Sequence, residues 1–578
     1  MQRSSVVAAA VAVVLVTGVG VAIARRDGNG RPHAAPTTAP PSPTPTPTTQ
    51  SPTPSATPSH RPTPVGTGPR DRQYDVVYAA GVSVDDGAAA VAAAGGEVVH
   101  ENAKVGVATV MAGRDFVARA RKDRRVFGVV TNRAFGRPPA EPKRREVQRG
   151  TGPRVTRTGP DPLASLQWDM DVIHAPQARA TTKGDRRVLV AVIDTGVDGT
   201  HPDLAAAYDK ELSRNFVTDY PGADGACEQK TCVDPVTDDP NGHGTHVAGT
   251  IAAATDEFGI AGIAPNVRLV GLRAGQDSGL FFLMPTVDAL VYAADIGVDV
   301  ANMSYFVDPW LFNCPAAAAD DADDRYEQRA LIEGVRRATD YAYAHGVTLV
   351  AAAGNEHTDL DHKRFDTISP DFPEGAARTR RIDKTCLSLP SELPHVIEVS
   401  AVGRDGVKAD YSNYGLDHIT VAAPGGSTYL ADGSGPNPSY QTLSTWPEAV
   451  ARAEGSVGAD GRPRSALLVQ FCQGTRCAYY RYLTGTSMAS PHAAGVAALV
   501  VSRFGTPDPA HPGQLRMDPA KVLAILRSTA VDHACPRGTF DYRGRTSDYA
   551  ATCAGTATRN AFYGEGIVDA RAAVTARG

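Results

Sequence analysis

No two cysteines in this chain are spaced C-x-x-C, and no histidine stands at ligand spacing from a cysteine pair, which argues against a structural zinc site. Strong charge of either sign is missing too. The chain has 58 basic and 63 acidic side chains, a net charge of −5 and a pI near 6.3. That balance gives no global field for nucleic acid, and no nucleic-acid partner is expected. Leucine is nearly absent from the N-terminal apolar run, and no cysteine follows it, which excludes a lipoprotein anchor.

What is present divides the 578 residues into pieces, as expected of a chain too long for one core. Met1-Gln2-Arg3, an apolar run from Val6 to Ala24 and Arg25-Arg26 read as an export signal with an A-x-A site at Ala22 and Ala24. A retained transmembrane anchor over residues 1–26 is the alternative, and both imply export. Residues 27–71 are rich in Pro, Thr and Ser, have little apolar surface to bury, and form a disordered spacer. Residues 72–136 carry a β-α-β-β-α-β pattern, the order of a ferredoxin-like unit. Residues 137–160 are basic and aperiodic, an exposed linker of the kind proteases cut.

The remainder, 161–578, alternates helical segments with continuous apolar strands such as Val188 to Ile193, Val298 to Met303 and Val396 to Val402. Strands of that composition are buried on both faces, so a doubly wound α/β domain with a mainly parallel sheet is expected. Eight cysteines fit an oxidising compartment. Cys227 with Cys232, Cys472 with Cys477 and Cys535 with Cys553 are neighbours in sequence, which leaves Cys314 for Cys386.

Three segments place a reactive side chain at the end of a regular element. Val190-Ala191-Val192-Ile193-Asp194 delivers Asp194 at the C-terminal end of a strand. Gly242-His243-Gly244-Thr245-His246 puts His243 at the opening of a small-residue helix, and Gly485-Thr486-Ser487-Met488-Ala489 puts Ser487 in the first turn of another. A serine hydroxyl needs a base to take its proton as it attacks. Neutral imidazole has that basicity, and a carboxylate fixes the imidazole tautomer. His246 and His492 lack a metalloprotease spacing and are expected to be packed residues. The acidic run Asp320 to Asp324 reads as a solvated loop.

Together these segments resemble the three active-site motifs of the subtilisin-like serine proteases, the subtilases, over a stretch from Gln167-Trp168 to about Ala570. The resemblance implies a triad of Asp194, His243 and Ser487, with Asn355 of Ala353-Gly354-Asn355 donating to the oxyanion. It also implies that residues 72–136 are an inhibitory prodomain that serves as a folding aid as well. Ser304, Tyr305 and Phe306 match the substrate-binding edge, where the family usually has small or aliphatic residues, and the stretches around Asn313 to Glu327, His357 to Cys386 and Gly433 to Arg476 are long insertions beside the cleft, so a narrower specificity is expected. Gln167, Asp203 and Asp256, with carbonyls of Ala254, Phe258 and Ile260, match the family's structural Ca²⁺ ligands. No catalytic metal or organic cofactor is implied. The expectation is a secreted, or envelope-anchored, monomeric serine endopeptidase acting on polypeptides through an acyl-enzyme and made as an autoprocessed zymogen. A protease restricted to one partner and an inactive binding module are the rival readings.

Overall fold

The computed structural model describes residues 72–131, 154–155 and 161–577. The signal or anchor, the spacer, most of the basic linker and the last residues of the ferredoxin-like block lie outside the described residues. Among the described residues no helix is long and apolar enough to cross a membrane.

The first block has strands β1 (Arg72–Tyr78), β2 (Glu97–Asn102), β3 (Val107–Ala112) and β4 (Val126–Thr131), with helices α1 (Val84–Ala93) and α2 (Phe116–Ala120) between them. Its sheet is antiparallel in the order β2-β3-β1-β4. Because side chains alternate along a strand, β1 sends Tyr74, Val76 and Tyr78 into the block's own core. Val77, with Val107 and Val130, goes instead into the core of the larger domain. The second face of this sheet is therefore dry only because the larger domain covers it.

The larger domain carries a seven-stranded sheet in which every pairing is parallel. We number its strands β6 (Leu189–Asp194), β7 (Arg214–Asn215), β8 (Arg268–Arg273), β9 (Val300–Met303), β10 (Thr348–Ala352), β11 (Val396–Val402) and β12 (Val421–Pro424), after the short β5 (Arg154–Val155). The order is β12-β11-β10-β9-β6-β8-β7. All six residues of β6 are buried. Val190 and Val192 belong to one core, while Leu189, Ala191 and Ile193 belong to the other. Two-sided burial of this kind is why the strand is apolar without alternation.

Helices α3 (His243–Ala252) and α6 (Thr486–Phe504) lie in the first of these cores. Helices α4 (Leu283–Asp295) and α5 (Ala322–Ala344) lie in the second and also carry the ferredoxin-like block. At that seam β4 comes so close to α5 that a Cβ on Gly128 would sit 2.6 Å from the Ala330 methyl. Polar contacts rim it: Asp288 meets His100 at 2.6 Å and accepts from the Asn102 amide at 2.9 Å, and Arg121 meets Asp323 at 2.8 Å.

Two sequence expectations change here. The acidic run Asp320 to Asp324 is not a solvated loop. Asp320 and Asp324 are buried and paired with Arg378 and Arg380, and Asp321 caps α5. The stretch from Gly433 to Arg476, expected as an insertion, supplies strands Thr442–Trp446 and Leu468–Gln473 of a second four-stranded sheet with Arg476–Leu483 and β5.

All eight cysteines are bridged, as Cys227–Cys232, Cys314–Cys386, Cys472–Cys477 and Cys535–Cys553. Cys314–Cys386 spans 72 residues and Cys227–Cys232 spans 5. On the chain-entropy account, replacing both cysteines of the long loop by alanine costs about 4 kcal/mol of unfolding free energy, against about 2 kcal/mol for the short one. Denaturant titration of the two double variants checks this, and a larger loss at the short loop would contradict it.

Candidate active site

Asp194 ends β6 with no exposed surface. Its Oδ1 accepts from the Thr195 N–H and lies 2.8 Å from His243 Nδ1. A carboxylate only accepts, so Nδ1 carries the hydrogen and Nε2 is left as the base. His243 opens α3, and that helix start is fixed by Asp239. One Asp239 oxygen takes the N–H of Gly242 and the Thr195 hydroxyl. The other takes the N–H and hydroxyl of Thr245. The approach of α3 to β6 needs glycine at 244, where a Cβ would fall 2.0 Å from the Gly196 carbonyl oxygen.

Ser487 lies in the first turn of α6, and its Oγ donates to the Ser304 carbonyl at 3.1 Å. Pro491, four residues on, has no N–H to give the Ser487 carbonyl. The Ser304 hydroxyl donates to that carbonyl instead, at 3.0 Å, and is itself held by Asn302 and Ser490. Ser304 is thus a clamp on the serine helix as well as part of the cleft edge.

Asn355 follows β10. Its Oδ1 accepts from the N–H and hydroxyl of Thr486, at 2.8 and 2.9 Å. With the oxygen so engaged, Nδ2 is the donor the amide has left to offer. Asp194 is sealed behind His243. His243, Ser487, Asn355 and Ser304 line one cleft of about 350 Å³, together with Tyr305 and Phe306. Tyr305 packs flat on Phe281 at 4.0 Å between ring centres, so its bulk is absorbed by stacking.

The calcium expectation fares differently. Gln167 Oε1 accepts from the Ala261 N–H, and Asp203 Oδ2 accepts from the Ile260 N–H and the Tyr480 hydroxyl, each at 3.0 Å. Asp256 lies 3.8 Å from Arg476, whose guanidinium covers Phe258 at 4.2 Å. Gln167 and Asp203 converge, and Asp203 Oδ1 is buried without a hydrogen-bond partner, while Asp256 faces the Arg476 cation. Gln167 and Asp203 thus fit as oxygen ligands of Ca²⁺, and Asp256 is drawn away from them. A separate acidic cluster, Asp219, Glu228, Asp234 and Asp277, has the Arg273 guanidinium among its carboxylates, 2.6 Å from Asp234 and 3.0 Å from Asp219.

Sequence reading missed Asp239, Thr195 and the clamp role of Ser304. An aspartate three residues before a helix-opening glycine was a signal for the first. His246 and His492 are packed as expected, His246 against the Arg481 carbonyl at 3.0 Å and His492 against Asp169 at 3.0 Å.

Fold and cleft define the class: a doubly wound α/β protein with a histidine and a serine on one cleft and an aspartate, at the end of an interior strand, behind the histidine. The family follows from sequence, because the model of the subtilase family matches residues 185–566. The chain belongs to that family. It is 33% identical over 324 residues to a thermophilic serine proteinase of Bacillus sp. (strain AK1), covering 56% of this chain and 54% of that one. It is 28% identical over 386 residues to fervidolysin of Fervidobacterium pennivorans, covering 64% and 41%. The matches thus span about half the length of these relatives. Subtilisin DY of Bacillus licheniformis is 28% identical over 342 residues, 59% of this chain and 86% of that one. The solved epidermin leader peptide processing serine protease of Staphylococcus aureus shares the fold, with a TM-score of 0.57 at 20% identity over 88% of this chain and 99% of that one.

Burial holds His246 neutral and lowers its pKa to about 3. The unfolded chain takes up that proton first on acidification, so His246 contributes stability above about pH 6.5 that is lost as pH falls toward 3. Urea unfolding between about pH 6 and pH 4 should lose up to about 1.4 kcal/mol per pH unit more in the parent than in His246→Asn. Parallel curves for the two would refute this.

Proposed function

We propose that this chain is an exported serine endopeptidase made as a zymogen, with Asp194, His243 and Ser487 as its triad. The observation that carries the reading is the 2.8 Å contact between His243 Nδ1 and the buried Asp194, in register with the cleft that holds Ser487. As Ser487 Oγ bonds to the substrate carbonyl carbon, its proton passes to His243 Nε2. The Asn355 Nδ2–H and the Ser487 N–H then receive the oxyanion. Collapse breaks the C–N bond, the leaving amine takes the proton from His243, and an acyl-enzyme remains on Ser487. Water repeats the cycle and releases the acid.

The zymogen part rests on the ferredoxin-like block. It is seated on α4 and α5, and the Thr131 N–H at the end of β4 donates to Glu327 at 2.9 Å. Val130 and Thr131 share a small cavity with Phe282, Asp308 and Pro309, so β4 ends beside the substrate edge. That position of the β4 end supports a prodomain that blocks its own enzyme until the linker of residues 137–160 is cut. A structural Ca²⁺ would take oxygens of Gln167 and Asp203, with the buried Asp203 Oδ1 open to it.

A fluorophosphonate probe should label Ser487 in the processed protein. Ser487→Ala should abolish labelling, accumulate uncut precursor and lower turnover by roughly a million-fold, the scale known for subtilisin itself. Asn355→Leu should keep processing detectable and lower turnover by about 10²- to 10³-fold, again the subtilisin scale. A processed, active Ser487→Ala protein would refute the reading.

A further inference from the structure

The cleft holds more acid than the triad uses. Glu356, next to Asn355, lines it, and so do Asp308 and Asp371. None of the residues lining the cleft is lysine or arginine, and among the described residues none of these three carboxylates forms an ion pair. Arginines in the neighbouring loop are committed elsewhere, Arg378 to Asp320 and Asp324, and Arg380 to Asp320 and Asp366.

Asp308 is buried, its Oδ2 takes the Phe281 N–H, and its backbone N–H donates to the Phe281 carbonyl at 2.7 Å. Asp371 is tied to the same turn, its N–H donating to the Pro309 carbonyl at 3.1 Å. Asp371 Oδ1 is buried without a hydrogen-bond partner. Glu356 is fixed at the rim by the Asn355 N–H at 2.9 Å and by the Asn413 amide at 3.0 Å. Rim and interior are both acidic, and the walls between them are apolar and aromatic, from Tyr305, Phe306 and Leu311.

Apolar walls ending in carboxylates suit a side chain with an aliphatic stem and a cationic head. We infer that the cleft selects lysine or arginine at the residue immediately before the cut bond, with Glu356 at the entrance and Asp308 and Asp371 beyond it. The inference rests on the peptidase reading. The position follows from Asn355: the residue whose carbonyl it polarises must send its side chain past Glu356. Burial and the facing Asp371 carboxyl push the Asp308 pKa well above the usual carboxylate range, which is the cost that a guanidinium or ammonium between the two would offset. The chain's own linker offers such residues at Lys143, Arg144 and Arg145.

The test uses processed enzyme and fluorogenic peptides that differ only at the residue before the reporter: arginine, its neutral isostere citrulline, lysine, norleucine and glutamate. Fluorophosphonate labelling of the same preparation reports separately on Ser487. Arginine over citrulline and lysine over norleucine should each favour the cation by about tenfold or more in kcat/KM, with glutamate the poorest. Glu356→Gln and Asp371→Asn should each pull these ratios toward one. Asp308→Asn should do the same, and if it does not fold the parent series still decides. Labelling with equal or inverted ratios, or a charge preference confined to residues farther from the cut bond, would overturn the inference and leave the peptidase reading standing. No labelling and no cleavage of any peptide would remove both.

Discussion

A carboxylate with no exposed surface persists in a protein only where donors reach it, and Asp194 is that carboxylate. Its donors are the Thr195 N–H and the His243 ring, and much of the local architecture serves to bring them there. The end of β6 fixes one. The start of α3 fixes the other, and α3 can come that close only because residue 244 is glycine and Asp239 ties the helix opening to Thr195. Lose that contact and the histidine has no defined tautomer, while a charge is left buried without its partner.

The serine side obeys a second constraint. A proline inside α6 removes one backbone donor at the very carbonyl of Ser487, and the Ser304 hydroxyl replaces it. Because Ser304 also begins the cleft edge, that edge is hydrogen-bonded to the helix that carries Ser487. Asn355 is tied to the same helix through Thr486. Helix, edge and amide donor are thus hydrogen-bonded to one another, the pre-organisation that the proposed acyl transfer would require.

Much of this was legible in the chain. Continuous apolar strands announced a sheet buried on both faces, and the glycine-bearing segments around Asp194, His243 and Ser487 announced which side chains meet at its cleft. What was not legible depends on contacts between distant segments. Asp320 looked solvated because its partners, Arg378 and Arg380, stand far along the chain. The second sheet was hidden because its strands sit inside a stretch read as an insertion and pair with two residues of the linker. Gln167 and Asp203 did come together, but Asp256 is drawn toward Arg476 of that second sheet, at 3.8 Å. The stacking of Tyr305 on Phe281 along the cleft wall was likewise beyond the reach of sequence, since the two rings stand 24 residues apart.

The central claim is that the buried Asp194 sets the tautomer of His243 so that Nε2 faces the nucleophile as a base. Nitrogen-15 NMR of histidine-labelled, processed protein tests it most directly, with His243 assigned by its loss in His243→Ala. The account predicts a neutral His243 with its hydrogen on Nδ1, held there until the ring is protonated, and a change of tautomer in Asp194→Asn. A neutral His243 with its hydrogen on Nε2, or a spectrum indifferent to Asp194→Asn, would contradict it.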